Sequence, residues 1–189
     1  MVLNHRNNHY ISSKPVKDVP DQVKHVSKTK NPAKVMVLGV VSPNGKKCPP
    51  VFIPQNERVN ADAYIKILTK HVLPWIQRTF SYGNYVWQQD GARCHMAKKT
   101  QQFLKENMTN FWSKDMWPPN SPDFNPLDYS IWAYVEQEAC KKPHSSMKAL
   151  RATITRTWSK MDDTYVKKMC QSFRHWLESV IANNGGIIE

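Results

Sequence analysis

Residues 85–95 read Tyr-Val-Trp-Gln-Gln-Asp-Gly-Ala-Arg-Cys-His, an apolar, strand-like run that ends at Asp90 and is followed at once by Gly91. Glycine allows the backbone to turn sharply away from the edge of a sheet. A carboxylate at a strand end is held more rigidly than one in a loop, which suits a metal ligand. Taken alone, however, Asp-Gly after a strand is more often a turn than a ligand. Asp90 therefore needs a second acidic residue before it predicts a site.

That second residue is Asp128, which lies in residues 117–129, Trp-Pro-Pro-Asn-Ser-Pro-Asp-Phe-Asn-Pro-Leu-Asp-Tyr, at the start of a helical pattern. An acidic residue there can simply stabilise the helix dipole. Hard cations such as Mg²⁺ prefer oxygen ligands, and one or two carboxylates per ion are enough. Two such ions can support phosphoryl transfer. Asp90 and Asp128 are accordingly predicted to bind Mg²⁺ or Mn²⁺.

Composition limits the possible classes of protein. The 189 residues fit one domain, and 40% of them are hydrophobic, which is too many for a disordered chain. The net charge of +12 favours a polyanionic partner, and nucleic acid is the commonest one. No signal peptide or membrane span is apparent. We expect a DNA-binding protein that acts in the nucleus of a eukaryotic host, with no membrane partner and no small-molecule cofactor.

Other chemistries find no support in the sequence. The four cysteines form no C-x-x-C pair, so a zinc site is not expected. The sequence also lacks a nucleophile elbow, a glycine-rich phosphate loop and an H-E-x-x-H motif. Hydrolase, nucleotide-fold and metalloprotease functions are therefore not indicated.

The first half of the chain predicts a hairpin, a helix and a strand. Residues 34–42 and 51–53 are apolar runs separated by the turn signal Pro-Asn-Gly-Lys, which indicates a β-hairpin. Asn60 can cap a helix that Pro74 would kink or end early. We expect a strand over residues 85–89, with a helix through residue 107 and a possible short strand at residues 110–112 following it.

The second half predicts helices. Apolar residues recur at 3–4 spacing in three stretches, which begin near Leu127, Met147 and Val166, and the last should end at residues 183–186. Trp158 and Trp176 fall at core positions of these helices, so packing explains them better than base stacking. Strands first and helices later predict an α/β fold, a sheet with helices on its faces.

Several of these segments together resemble the catalytic domain of mariner-type transposases. The resemblance lies in residues 4–10, the hairpin that begins at residues 35–37, residues 60–64, residues 89–92 with His95, and above all residues 117–128 with Trp132. It implies a ribonuclease-H-like mixed sheet flanked by helices, with a helical C-terminal end. We expect residues 35–189 to form a partial domain of this kind, preceded by a basic, mostly irregular segment at residues 1–34.

The resemblance also implies which residues are catalytic. Asp90 would be the second and Asp128 the third of three acidic metal ligands. The first ligand lies, in that family, on an opening strand that we expect to precede Met1, so the chain is expected to be N-terminally truncated. We therefore expect little or no nuclease activity from it. A homodimer, as in related transposases, is possible.

Six basic residues are candidates for contacting DNA: Arg93, His95, Lys98, Lys99, Lys141 and Lys142. Arg93 stands where the family more often has proline, and it would either contact phosphate or weaken metal binding. His95 could orient a phosphate or a carboxylate. An ordinary solvated helix surface explains most of the lysines equally well.

The leading hypothesis is a transposase-derived domain for metal-dependent DNA cleavage and strand transfer. The alternative is a non-catalytic nucleic-acid-binding or assembly module, either a relic or a reused transposase fragment. A cellular ribonuclease-H-like nuclease ranks last, because it does not explain residues 117–128.

Overall fold

The computed structural model describes residues 15–18, 34–54, 57–118 and 121–183. Most of the predicted N-terminal segment lies outside this range, including residues 4–10 of the resemblance. Its described part is the 3₁₀ turn Val16–Asp18. Residues 184–186, predicted to end the last helix, also lie outside. No helix in the part of the chain that the structure describes is long and apolar enough to span a membrane.

The predicted hairpin is confirmed, with shorter strands. Strands β1 (Met36–Leu38) and β2 (Val51–Ile53) pair antiparallel. Beyond β1, the Ser42 N–H donates to the Lys46 carbonyl at 3.0 Å and the Cys48 N–H to the Val40 carbonyl at 2.9 Å. Gly45 occupies the turn with φ +87°, a conformation that favours glycine. The Pro-Asn-Gly-Lys signal therefore closes the hairpin as expected.

The next helix begins as predicted but does not end at Pro74. The Asn60 side chain accepts a hydrogen bond from the Ala63 N–H at 2.9 Å and caps helix α1 (Ala61–Ile67). A π-helical turn (Leu68–Val72) follows and leads into helix α2 (Leu73–Thr79). The wider turn ends just before Pro74, which then occupies the first turn of α2, where its missing N–H costs little. The helix is therefore not ended by Pro74, and the expected disturbance takes the form of a π-helical turn between two α-helical segments.

Residues 85–89 are extended but do not form a regular strand, which corrects the prediction. Trp87 makes a single parallel bridge to Phe111. Its N–H donates to the Asn110 carbonyl at 2.8 Å, and its carbonyl accepts from the Trp112 N–H at 2.9 Å. One bridge does not make a ladder, so the expected strand at residues 110–112 is also reduced to this contact. Helices α3 (Arg93–Met96) and α4 (Lys98–Asn107) follow.

Three further helices complete the described chain. A π-helical turn (Leu127–Ile131) leads into α5 (Trp132–Ala139), which is followed by α6 (Met147–Lys160) and α7 (Asp163–Ala182). Trp158 is 1% exposed, as predicted for a core residue. Trp176 is 40% exposed, so its expected core position was wrong. Val166 in the first turn is the fully buried residue of α7, which leaves the stretch around Trp176 open to solvent.

The hairpin separates two hydrophobic cores. Val40 and Cys48 pack into a core with α1, α2 and α4. Val35 packs into a second core with α5, α6 and α7, and Val37 and Phe52 pack against it. Alternate side chains of a strand point to opposite faces, so the small sheet has helices on both sides. The predicted helices on the faces of a sheet are present, but the described residues are mostly helical, and their one sheet has two antiparallel strands instead of the expected mixed sheet.

Gly39 lets the hairpin approach the second core closely. A Cβ atom at Gly39 would lie 2.7 Å from Cη2 of Trp158 and 2.9 Å from Cη2 of Trp132. The indole N–H of Trp158 donates to the Cys48 carbonyl at 2.8 Å. Any side chain at position 39 would push the hairpin away from this hydrogen bond.

Gly39→Ala is predicted to destabilise the fold by about 1–3 kcal/mol, the range expected for overpacking a core. Urea unfolding followed by tryptophan fluorescence and circular dichroism measures the change. Gly91→Ala is the control, because its Cβ would meet Trp117 at an ordinary 3.7 Å. Equal stability of the Gly39→Ala variant and the wild type would contradict this account of the hairpin.

Candidate metal site

Asp90 lies in the turn between the extended segment and α3. Its Oδ1 accepts a hydrogen bond from the Ala92 N–H at 3.0 Å, so the turn expected for Asp-Gly is present. The same oxygen lies 2.6 Å from Nδ1 of His95. This hydrogen bond from His95 is the main reason why the pKa of Asp90 is lowered, and it outweighs the opposing effect of burial. The carboxylate is thus held ionised and in one orientation.

His95 is itself held by neighbours that sequence reasoning missed. Its ring packs on the ring of Tyr64, with centroids 4.3 Å apart. The Tyr64 hydroxyl donates to Oε1 of Gln89 at 3.1 Å, and Nε2 of Gln89 donates to the His95 carbonyl at 3.1 Å. Tyr64 and Gln89 stood in the motifs of the family resemblance, but local spacing gave no sign that they would meet. His95 therefore orients the Asp90 carboxylate, one of the two functions predicted for it.

Asp128 lies in the π-helical turn at the start of the α5 region. Its Oδ2 accepts a hydrogen bond from Nδ2 of Asn125 at 2.9 Å, and Oδ1 of Asn125 accepts from the Leu127 N–H at 3.1 Å. Burial raises the pKa of Asp128, and the negative charge of Asp90 raises it further. The two carboxylates are thus close enough to repel each other. A cation between them would relieve that repulsion.

The site opens on a cleft of about 910 Å³. One wall is the hairpin from Leu38 to Asn44, and another is the extended segment from Asn84 to Asp90. His95, Trp117 and Leu127 also line the cleft. Asp90 therefore lines this cleft, and Asn125 and Leu127, close neighbours of Asp128 in the sequence, line it too.

The donor atoms at this site suit a hard divalent cation. Both candidate ligands are carboxylates, whose oxygen atoms Mg²⁺ and Mn²⁺ prefer to thiolate or imidazole groups. Among the residues that the structure describes, no group of three or more histidine, cysteine or acidic side chains could hold a metal ion. The four cysteines form no disulfide. Asp90 and Asp128 are thus a pair, and a third ligand is not among the described residues.

The structure separates the candidates for DNA contact into two groups. Arg93 is exposed in the first turn of α3, next to the site, and Lys98 and Lys99 are exposed at the start of α4. Lys99 forms an ion pair with Asp62. The pKa of Asp90 is lowered by its hydrogen bonds with His95 and Ala92, not by Arg93. The two effects considered for Arg93, contact with phosphate and weaker metal binding, therefore both stay predictions.

Lys141 and Lys142 form the second group, after the end of α5. Lys141 forms an ion pair with Glu138 at 2.6 Å, and Lys142 is exposed. The helical stretch from Asp128 to Lys141 rises roughly 20 Å at 1.5 Å per residue. The structure therefore does not bring these two lysines to the carboxylate pair.

Comparison with solved structures shows which known proteins share this fold. No family model matches the chain. The crystal structure of the catalytic domain of Mos1 mariner transposase superposes with a TM-score of 0.73 at 20% identity, covering 84% of this chain and 78% of that one. The Mos1 mariner paired end complex with Mn superposes with a TM-score of 0.76 at 18% identity, covering 96% and 52%. The fold is therefore that of a transposase catalytic domain.

Comparison of sequences also finds a transposase. The Tc3 transposase of Caenorhabditis elegans is 26% identical over 156 residues, which are 82% of this chain and 45% of that protein. The chain is a homologue of the Tc3 transposase and spans less than half of its length. The predicted resemblance to mariner-type transposases is confirmed.

The two aspartates should respond oppositely to neutralisation in metal-free protein. The pKa of Asp90 is lowered on folding, so its ionised form stabilises the fold above its unfolded-state pKa, and this is lost as the pH falls through the lowered value. The pKa of Asp128 is raised, so its ionised form costs stability at neutral pH, and that cost falls as the pH drops from the raised value to the unfolded-state pKa.

We predict that Asp90→Asn lowers the melting temperature at pH 7, whereas Asp128→Asn maintains or raises it. Each effect should be within about 1 kcal/mol, since both side chains are partly solvated. Calorimetry in chelator at pH 7 and pH 4 measures the difference, which should shrink at the lower pH. Equal losses in the two variants would contradict the assignment of opposite shifts.

Proposed function

We propose that this chain is a transposase-derived domain for metal-dependent DNA cleavage and strand transfer, in which Asp90 and Asp128 bind Mg²⁺ or Mn²⁺. The observation that carries the proposal is a pair of carboxylates from two separate segments: the charge of Asp90 raises the pKa of Asp128, and Asp90 lines an open cleft. The homology to the Tc3 transposase supports it. Solved Mos1 structures contain Mn, Mg or a left transposon end, which supports the same cofactors and a DNA partner here.

Neighbouring side chains hold the two proposed metal ligands, Asp90 and Asp128, in position. His95 donates to Asp90 and fixes its orientation, and Asn125 does the same for Asp128. Bound divalent ions in such sites activate the attacking oxygen and neutralise charge on the phosphate. Arg93 and Lys98, exposed near the site, would contact the DNA backbone. Catalysis of this kind is largely positioning, so it requires the full ligand set.

The cleft is the place where a ribonuclease-H-like sheet would continue. The Val40 carbonyl and the Ser42 N–H form hydrogen bonds with the other arm of the hairpin, the one that contains β2. The backbone groups of Gly39 and Val41 therefore point away from that arm. The backbone N–H and carbonyl of Trp87 form hydrogen bonds with residues 110–112. In an extended chain, the backbone groups of Val86 and Gln88 therefore point to the opposite side. These two edges line the same cleft. An opening strand inserted between them would complete a mixed sheet and bring the third acidic ligand that the resemblance implies.

The remaining expectations follow from the proposed activity. A domain that cuts and joins DNA would work in the nucleus of a eukaryotic cell. A homodimer, as in related transposases, would allow two transposon ends to be held together.

Metal binding is the direct test of the carboxylate pair. Mn²⁺ titration followed by electron paramagnetic resonance should show binding to the wild-type chain and at least a tenfold loss in Asp90→Asn and in Asp128→Asn. Asp123→Asn is the matched control, because Asp123 is an exposed acidic residue of the same loop. Unchanged affinity in both test variants would refute the site.

Plasmid nicking tests whether the site is complete in this chain. Little or no Mg²⁺-dependent nicking is expected, because the described residues supply two of the three ligands that the family resemblance implies. Nicking by the wild type that is abolished by Asp90→Ala would show that the third ligand is present.

DNA binding should depend strongly on salt. We predict that the affinity for a short duplex falls steeply as NaCl rises from 50 to 200 mM in a fluorescence anisotropy titration, because counterion release drives contacts to phosphate. Arg93→Ala should weaken binding several-fold and reduce the salt slope by about 1. Lys66→Ala, which removes an exposed charge from α1, is the control. Binding that is insensitive to salt would contradict a phosphate-directed surface.

The alternative, a non-catalytic DNA-binding or assembly module, makes a different prediction. Such a module would bind DNA with the same salt dependence but would not need the carboxylates to bind metal. Salt-dependent DNA binding without any Asp90-dependent Mn²⁺ binding would favour it.

A further inference from the structure

One face of α7 holds the segment that carries Asp128. The Tyr129 hydroxyl donates to the Met169 carbonyl and lies 3.1 Å from Oγ of Ser172. One residue later, Oγ of Ser130 lies 2.6 Å from the Tyr165 hydroxyl. The two residues that directly follow Asp128 are thus hydrogen-bonded to the same helix. Their contacts fix the π-helical turn against α7.

Phe173, on the same part of α7, contacts one residue just before Asp128 and one residue that is hydrogen-bonded to the run ending at Asp90. Its ring lies 6.2 Å from the ring of Phe124, nearly perpendicular to it, and 6.0 Å from the ring of Trp112. Phe124 ends the 3₁₀ turn Pro122–Phe124, a few residues before Asp128. The Trp112 N–H donates to the Trp87 carbonyl in the run that ends at Asp90. The Phe173 ring therefore lies between Trp112, which is bonded to the run ending at Asp90, and Phe124, which precedes Asp128.

We propose that Phe173 is a positioning residue that sets the distance between the Asp90 and Asp128 carboxylates. The inference rests on the proposed metal site. The segments that carry the two carboxylates must be held at a fixed separation before a cation binds. Phe173 does this through ring contacts on both sides, and it also lines the cleft. Cavities left by truncated side chains let neighbouring segments shift, and shifts of about 1 Å matter in such sites.

The next aromatic residue on α7 has a different environment. Trp176 is 40% exposed, and the ring contact described for it is with His175 on its own helix. Removing its side chain should therefore leave the carboxylate pair in place. This makes Trp176→Ala a matched control on the same helix.

The test compares Mn²⁺ affinity with thermal stability in four variants. Phe173→Ala should weaken Mn²⁺ binding about tenfold, in the range typical of residues that support metal ligands. Phe173→Tyr keeps the ring and should stay within about twofold of wild type. Trp176→Ala should bind as the wild type does. Phe173→Leu keeps most of the apolar volume, so it should fold even if Phe173→Ala does not, and it should bind several-fold more weakly.

Binding is measured well below the melting temperature of each variant, so that loss of fold does not mimic loss of affinity. A lower melting temperature with unchanged Mn²⁺ affinity in Phe173→Ala and Phe173→Leu would overturn the positioning role. The Asp90→Asn variant, measured in parallel, separates the two proposals. If it binds Mn²⁺ like the wild type, the metal site itself is wrong. If it loses binding while both Phe173 variants retain it, only the role of Phe173 is wrong.

Discussion

The contact of Trp158 with the hairpin is the constraint on which the described fold depends. Its buried indole donates a hydrogen bond to the Cys48 carbonyl and packs on Gly39. A buried indole N–H without a partner would cost free energy, so the contact specifies one position of the hairpin on α6. Lys47 adds an ion pair with Asp163 at the start of α7. The hairpin is thereby attached to the second core, while its other face packs against the first.

This layering explains how two distant parts of the sequence form one candidate site. The run to Asp90 belongs to the first core through Trp87, and the helical turn with Asp128 belongs to the second through Ile131. The site therefore lies where the two cores meet at the hairpin. The pKa values of the two carboxyl groups are shifted in opposite directions. A hydrogen bond from His95 lowers the pKa of Asp90, whereas burial and the charge of Asp90 raise the pKa of Asp128. Perturbed acids beside a cleft are typical of functional sites.

Local patterns in the sequence predicted the features that have local causes. The hairpin follows from its turn residues, the start of α1 from the Asn60 cap, and the C-terminal helices from apolar residues at 3–4 spacing. The two aspartates were singled out by their positions after an apolar run and before a helix. That they belong to one site was predicted from their settings and from the resemblance, and the effect of the Asp90 charge on the pKa of Asp128 supports it.

The features that the sequence did not predict depend on distant partners. A strand needs a neighbour to pair with, and residues 85–89 find only the bridge at Trp87. Pro74 was tolerated because a π-helical turn precedes it. Trp176 has the same spacing as buried residues, but it lies on a stretch of α7 that remains open. The supports of the site, such as Tyr64 and Phe173, are brought to it by packing between elements.

A cation bound by both aspartates would also join the two cores. Asp90 and Asp128 reach the site from opposite sides of the hairpin, so the free energy of binding depends on how well the layers are already held together. By thermodynamic linkage, an ion that binds only the folded arrangement stabilises it. The converse would also hold: contacts such as Trp158 with Cys48 would raise the affinity of the proposed site by reducing the ordering that binding must impose. The packing between the layers would then contribute both to fold stability and to metal affinity.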